Sequence, residues 1–164
     1  MKTLSRAKPA PVAIRKDIFT KKRRSEIMAL IRSKNTEPER KVFSHLRSRG
    51  IYFQRHYGKV PGSPDVALPR QKKAVFIDGD FWHGYQFHKR RAKLSPGYWL
   101  EKIEANIARD RRNRRQLRKL GWKVLRVWEH ELRGKKGIIA LEKIENFLLE
   151  GRFQAQQPSG ILKA

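Results

Sequence analysis

Between two lysines and an Asp-Gly pair lies the run Ala74-Val75-Phe76-Ile77. Four consecutive apolar residues give a strand no polar face, so it must be covered on both sides. Such a strand needs sheet neighbours beside it and helices above and below. The neighbours can be read nearby. "PDVALP" (64–69) and "KKAVFID" (72–78) read as adjacent strands joined by a polar turn at Arg70-Gln71. "IYFQRHY" (51–57) alternates like a strand, and "GKVPGSP" after it is a turn. "WKVLRVWEH" (122–130) sets Val124, Arg126 and Trp128 against Lys123, Leu125 and Val127, again a strand pattern.

Helical periodicity fills the rest. "KKRRSEIMALIRS" (21–33) puts Ile27, Met28 and Ile31 at helical spacing. In "NTEPER" Thr36 is the expected N-cap, Pro38 suits the first turn, and Glu39 stands three residues on, as a capping box requires. The helix it opens turns Val42, Phe43 and Leu46 inward and ends near Gly50. From Tyr98 to Lys119 a long charged helix places Trp99, Ile103, Asn106, Ile107, Asp110 and Leu117 on one face, and Gly121 stops it. Residues 137–149 form a last amphipathic helix through Ile138, Leu141, Ile144 and Leu148. The expected fold is α/β, one domain with a small mixed central sheet flanked by helices. Residues 1–20 read as a flexible basic arm, 21–150 as the domain, and 151–164 as a loose tail.

The charge narrows the function. Forty Lys and Arg against 15 Asp and Glu give a formal net charge of +25, a field that attracts polyanions, nucleic acid first. No stretch of about 18 apolar residues offers a membrane span. The chain has no cysteine, which removes disulfides and thiolate zinc sites and fits a reducing cytoplasm.

Against that background the acids stand out. Asp65 opens one strand, and Asp78 ends the next, twelve residues later. Adjacent strands can bring such carboxylates together, and Mg²⁺ is held by one or two carboxylates plus phosphate oxygens. A cation there polarises a scissile phosphate. His83 is near enough in sequence to move a proton, and Glu39 can supply an outer carboxylate. Phe81 and Trp82, if exposed, can wedge between base steps, and Met28 is a further flat apolar side chain in a basic neighbourhood. Arg109, Arg111, Arg112 and Arg115 neutralise phosphates, as the basic arm does. Asp80, His83, His88 and His130 are zinc-compatible types, but their spacing matches no strong zinc signature.

Four blocks, "KKRRSEIMALIRSKNTEPERKVFSHLRSRGI", "PGSPDVALP", "AVFIDGDFWHG" and "YWLEKIEANIARDRRNRRQLRKLGWKVLRVWEHEL", together resemble the very short patch repair (Vsr-like) endonucleases. Those bacterial enzymes have a restriction-endonuclease-like PD-(D/E)xK core and use Mg²⁺ to nick one strand of double-stranded DNA beside a T·G mismatch. The resemblance implies that Asp65 binds the metal, with the backbone carbonyl of Ile77 as a second ligand. Asp78 stands where the family has a histidine proposed as general base, which makes it a second metal carboxylate like that of ordinary PD-(D/E)xK nucleases. His83 matches the second active-site histidine, Glu39 the helix glutamate near the site, and Phe81, Trp82 and Met28 the residues that intercalate. The family's zinc-binding positions hold Asp80, Tyr85, Phe87 and His130 here, so no structural zinc is expected. The usual PD-(D/E)xK lysine is also absent, since Asp78 is followed by Gly79-Asp80.

The leading expectation is therefore a Mg²⁺-dependent strand nickase of mismatched DNA, with Mn²⁺ as a possible substitute. It would act as a monomer in the bacterial cytoplasm, on the nucleoid, with no membrane partner. A site-specific or homing-type nuclease on the same core is an alternative. So is a catalytically degenerate DNA-binding protein. A membrane-surface or RNA-coating protein has only the charge behind it.

Overall fold

The sheet in the computed structural model has four strands in the order β1-β2-β3-β4. They are β1 (Gln54–Arg55), β2 (Val66–Leu68), β3 (Lys73–Asp78) and β4 (Lys123–Trp128). The first two pairings are antiparallel and β3–β4 is parallel. A parallel neighbour demands a long crossover, here supplied by the 22-residue α4 (Tyr98–Lys119), preceded by the one-turn α3 (Phe87–Arg90). Helices α1 (Lys21–Leu30) and α2 (Glu37–Ser48) precede the sheet, and α5 (Lys136–Leu149) follows it. The structure describes residues 19–30, 34–94 and 97–151. The expected arm, apart from its last two residues, and the expected tail after Gly151 lie outside them, as does Ile31.

Every residue of β3 is buried, as its unbroken apolar run requires. Alternation sends Val75 and Ile77, with Val66 and Leu68 of β2, to one face, where α2 and α5 pack through Val42, Phe43, Leu46, Leu141, Ile144 and Leu148. Ala74, Phe76 and Ala67 face the other side and meet Leu117 of α4 and Trp122. Asp78 shares that second face with Phe76, so its carboxylate is aimed at α4. Lys73, buried at the start of β3, donates from Nζ to the carbonyls of Phe147 (2.8 Å), Leu148 (3.0 Å) and Glu150 at the end of α5. A charged donor on the helix's last carbonyls satisfies groups that would otherwise be orphaned and opposes the negative dipole end.

Three expectations need correction. The strand predicted over 51–57 is only Gln54–Arg55, because His56 turns into the left-handed region (φ 47°) and ends the pairing. Thr36 is the N-cap of α2, but its hydroxyl donates to Glu39 Oε1 (2.8 Å) while the Asn35 amide donates to Oε2 (2.8 Å). The capping glutamate thus reaches one residue further back than the usual box. The strand predicted over 122–130 ends at Trp128 in a 3₁₀ turn, Glu129–Leu132.

Candidate active site

A cleft of about 740 Å³ opens where β2 begins and β3 ends, between α2 and α4. Glu39, Asp65, Ile77, Asp78, Trp82, His83, Met28 and Arg109 all line it. Phe81 is 39% exposed and stacks edge-on against Trp82 with ring centroids 4.8 Å apart. Trp82 in turn meets Trp99 of α4 at 5.6 Å. Arg111, Arg112 and Arg115 are exposed on α4 and do not line the cleft.

The acids form two groups rather than one. Glu39, His56 and Asp65 lie close enough for their donor atoms to share an ion, as do Asp78, His83 and Asp110. Asp65 and Asp78 therefore each have their own histidine. Asp65 Oδ2 accepts the Ile77 amide at 2.7 Å. In a strand the amide and carbonyl of one residue point the same way, so the Ile77 carbonyl is directed to the Asp65 side as well. Burial pushes the Asp65 carboxyl up to about 7, the Ile77 amide pulls it down, and the nearby charges of Glu39 and Asp78 push it further up.

The second group is balanced by arginine. Arg126 Nε donates to Asp78 Oδ2 at 2.5 Å, and Arg114 Nη1 lies 3.6 Å from the same oxygen. Arg126 reaches Asp78 because the parallel register pairs it with Phe76, two residues away on the same face. Its guanidinium also lies 3.7 Å above the Trp128 ring, and its Nη2 donates to the His83 carbonyl at 3.2 Å. His83 Nδ1 donates to Asp110 Oδ2 at 2.6 Å and is 3.6 Å from Asp78 Oδ1. Burial draws the His83 pKa down, but the Asp110 hydrogen bond and the charges of Asp78 and Asp110 outweigh it and leave the ring more basic than usual. Burial likewise pushes Asp110 up, and the His83 bond and charge more than reverse it.

The loop between β3 and α3 is tied down along its length. Asn106 Nδ2 donates to the Trp82 carbonyl at 3.1 Å. Gly84, with φ +71°, lies so close to α4 that a Cβ would stand 2.3 Å from Ile107 Cδ1. Asp80 Oδ1 accepts from His130 Nδ1 at 2.6 Å, and Tyr85 stacks on His130 at 4.2 Å and on Trp128 at 5.0 Å. Asp80, Tyr85 and His130 thus meet in a polar and aromatic cluster.

His56, Asp110, Arg114 and Arg126 escape a reading of the sequence as site residues. Asp110 left a trace, since an acid on the buried face of a helix needs a partner. Arg126 becomes legible only with the β3–β4 register, and His56 only with the turn that follows β1.

An acid-lined cleft in so basic a protein suits the cutting of a polyanion, and the sheet beneath it is that of the restriction-endonuclease-like nucleases. Comparison with known proteins narrows the class. Residues 16–89 match the family described as DNA mismatch endonuclease Vsr. Over 135 residues the chain is 39% identical to the Type II nicking enzyme V.NmeAIP of Neisseria meningitidis, covering 82% of this chain and 95% of that enzyme. It is 42% identical over 121 residues to the Type II nicking enzyme V.XorIIP of Xanthomonas oryzae pv. oryzae, covering 71% and 86%. It is 36% identical over 121 residues to the DNA mismatch endonuclease Vsr of Escherichia coli, covering 73% and 78%. The chain belongs to the Vsr family and is a DNA endonuclease.

Proposed function

We propose that this endonuclease nicks one strand of double-stranded DNA beside a T·G mismatch, using Mg²⁺, with Mn²⁺ able to replace it. The observation that carries this reading is the join between wedge and chemistry. Phe81 and Trp82 directly precede His83 on a loop fixed to α4 and β4. An aromatic pair entering the base stack there holds the neighbouring phosphate over the cleft, and a mismatched step is the one that unstacks at least cost.

The donors fit a divalent cation: a half-buried carboxylate at Asp65, a backbone carbonyl at Ile77 and the buried Asp78 carboxylate. When bound, the cation supplies Lewis-acid polarisation of the scissile phosphate. The remaining work falls to side chains. With Nδ1 committed to Asp110, His83 keeps Nε2 to take a proton from water or give one to the leaving oxygen. Glu39 shapes the outer wall, and Arg126 with Arg114 pairs with the Asp78 carboxylate beside His83. Arg109, Arg111, Arg112 and Arg115 lie along α4 and grip the backbone, so binding weakens steeply with salt. No helix among the described residues is long and apolar enough to cross a membrane. We place the enzyme in the bacterial cytoplasm, on the nucleoid, acting as a monomer.

The test uses a labelled duplex with one central T·G mismatch, its matched twin, and a supercoiled plasmid, each in Mg²⁺, Mn²⁺ or EDTA. The expected result is a single nick at the mismatch that Asp65→Ala abolishes while DNA binding persists. Equal cutting of the matched duplex would instead assign a site-specific nickase. Binding without any cut would assign a catalytically degenerate protein.

A further inference from the structure

The Glu39–His56–Asp65 group contains an imidazole for which the proposed reaction has no use. His56 follows β1, and its amide donates to the Asp65 carbonyl at 3.2 Å, so its backbone is tied to the residue it faces. Its ring is 14% exposed and stands edge-on to Phe43. Nε2 is sealed from solvent and has no hydrogen-bond partner among the described residues. It lies 3.4 Å from Glu39 Oε2, and Nδ1 lies 3.6 Å from Asp65 Oδ1. Both gaps exceed a good hydrogen bond. One donor atom from each of Glu39, His56 and Asp65 lies within 4.8 Å of the other two, a spread that a single cation can draw together. Glu39 already accepts from Asn35 and Thr36, but each carboxylate oxygen has a second lone pair. A buried imidazole nitrogen without a hydrogen-bond partner among the described residues, beside the Glu39 carboxylate and near Asp65, is what a cation would complete.

We infer that His56 is a nitrogen ligand of the metal centre, and that Glu39, His56 and Asp65 form a mixed nitrogen–oxygen site favouring a borderline first-row divalent ion over Mg²⁺. Mg²⁺ is a hard ion that takes oxygen donors, whereas imidazole suits Fe, Ni, Cu and Zn; Mn²⁺ also leans to oxygen but takes nitrogen more readily than Mg²⁺, and it serves here as the paramagnetic probe. This deepens the proposed function and rests on its reading of Asp65 as a metal carboxylate.

The full-length protein loaded with Mn²⁺ is examined by pulsed EPR, and Mn²⁺ and Mg²⁺ affinities are measured by competition. Wild type is expected to show ¹⁴N coupling to Mn²⁺. His56→Phe, which can pack against Phe43, loses the coupling and about tenfold in Mn²⁺ affinity, with Mg²⁺ affinity falling less. His56→Gln behaves alike should the phenylalanine variant fail to fold, and circular dichroism checks both. His83→Gln is expected to retain the coupling. Wild-type spectra without ¹⁴N coupling overturn the inference, as does coupling that survives in His56→Phe or vanishes only in His83→Gln. Asp65→Asn separates the two readings. If it leaves Mn²⁺ bound with its nitrogen signal intact, the carboxylate reading of Asp65 fails while His56 stands as a ligand.

Discussion

Arg126 and Asp78 form the closest charged pair in the cleft, with Nε 2.5 Å from Oδ2 and the carboxylate almost fully buried. Removing the arginine leaves a buried anion with only the longer contacts to Arg114 and His83, each 3.6 Å away, and it also frees the face of Trp128 and the His83 carbonyl. Arg126→Met should therefore cost about 3 kcal/mol in urea unfolding, at the low end for breaking a buried pair. Adding Asp78→Asn should return part of that loss. If the double variant is no more stable than the single one, the pair is not what holds the site.

Asp65 and His83 fix the pH dependence of the metal-free protein. The folded Asp65 carboxyl titrates at about 7 instead of 3.8, so the native state holds that proton more tightly than the unfolded chain. Its contribution to stability is full at low pH and is lost as pH rises from 3.8 through about 7. His83 is also raised above 6.5, and its contribution is lost as pH climbs through its folded value. Both slopes have the same sign between pH 6 and 8. The metal-free protein should melt lower at pH 8 than at pH 6 by scanning calorimetry. Added Mg²⁺ should raise the melting temperature more at pH 8. Asp65→Asn should flatten the slope.

Lys73 contributes through the fold, not the chemistry. Its ammonium holds three carbonyls at the end of α5. Lys73→Met keeps the stem but leaves those groups without their donor, which should cost about 2–3 kcal/mol. The nicking rate measured well below the melting transition should stay within about twofold of wild type, since a change that only weakens the fold leaves the folded enzyme's chemistry intact. A large rate loss at low temperature would mean that α5 communicates with the cleft.

The Asp80–His130 bond with Tyr85 stacked upon it closes the base of the loop that carries Phe81, Trp82 and His83. Asp80→Ala should loosen that loop and lower cleavage about tenfold, the order of effect expected when a reacting group is slightly misplaced. DNA binding by the α4 arginines should survive. A zinc-selective chelator should leave the wild-type melting temperature unchanged. A chelator-induced drop would show that a metal, not this cluster, holds the loop.

The sheet was readable because Ala74–Ile77 permits only one environment, and the buried face of α4 because its apolar positions recur at helical spacing. Asp65 and Asp78 could be placed at strand ends, and the motifs around them supplied their expected roles. Sequence spacing could not show that the two carboxylates fall into separate groups. That depends on which face each strand end presents and on Arg126 arriving from a strand 48 residues away. His56 was hidden for a different reason. In "IYFQRHY" it looks like one more alternating strand residue, and only its left-handed backbone turns the ring toward Asp65.

The hydrogen bond from the Ile77 amide to Asp65 makes the central strand an observer of the active site. That amide proton is held by the same carboxylate that would meet a cation, and its bond is strongest when the carboxylate is ionised. Its NMR shift and its exchange with solvent should follow the charge state of Asp65. A single backbone resonance, with no substrate and no label added to the site, would then report when the endonuclease is loaded and ready to cut.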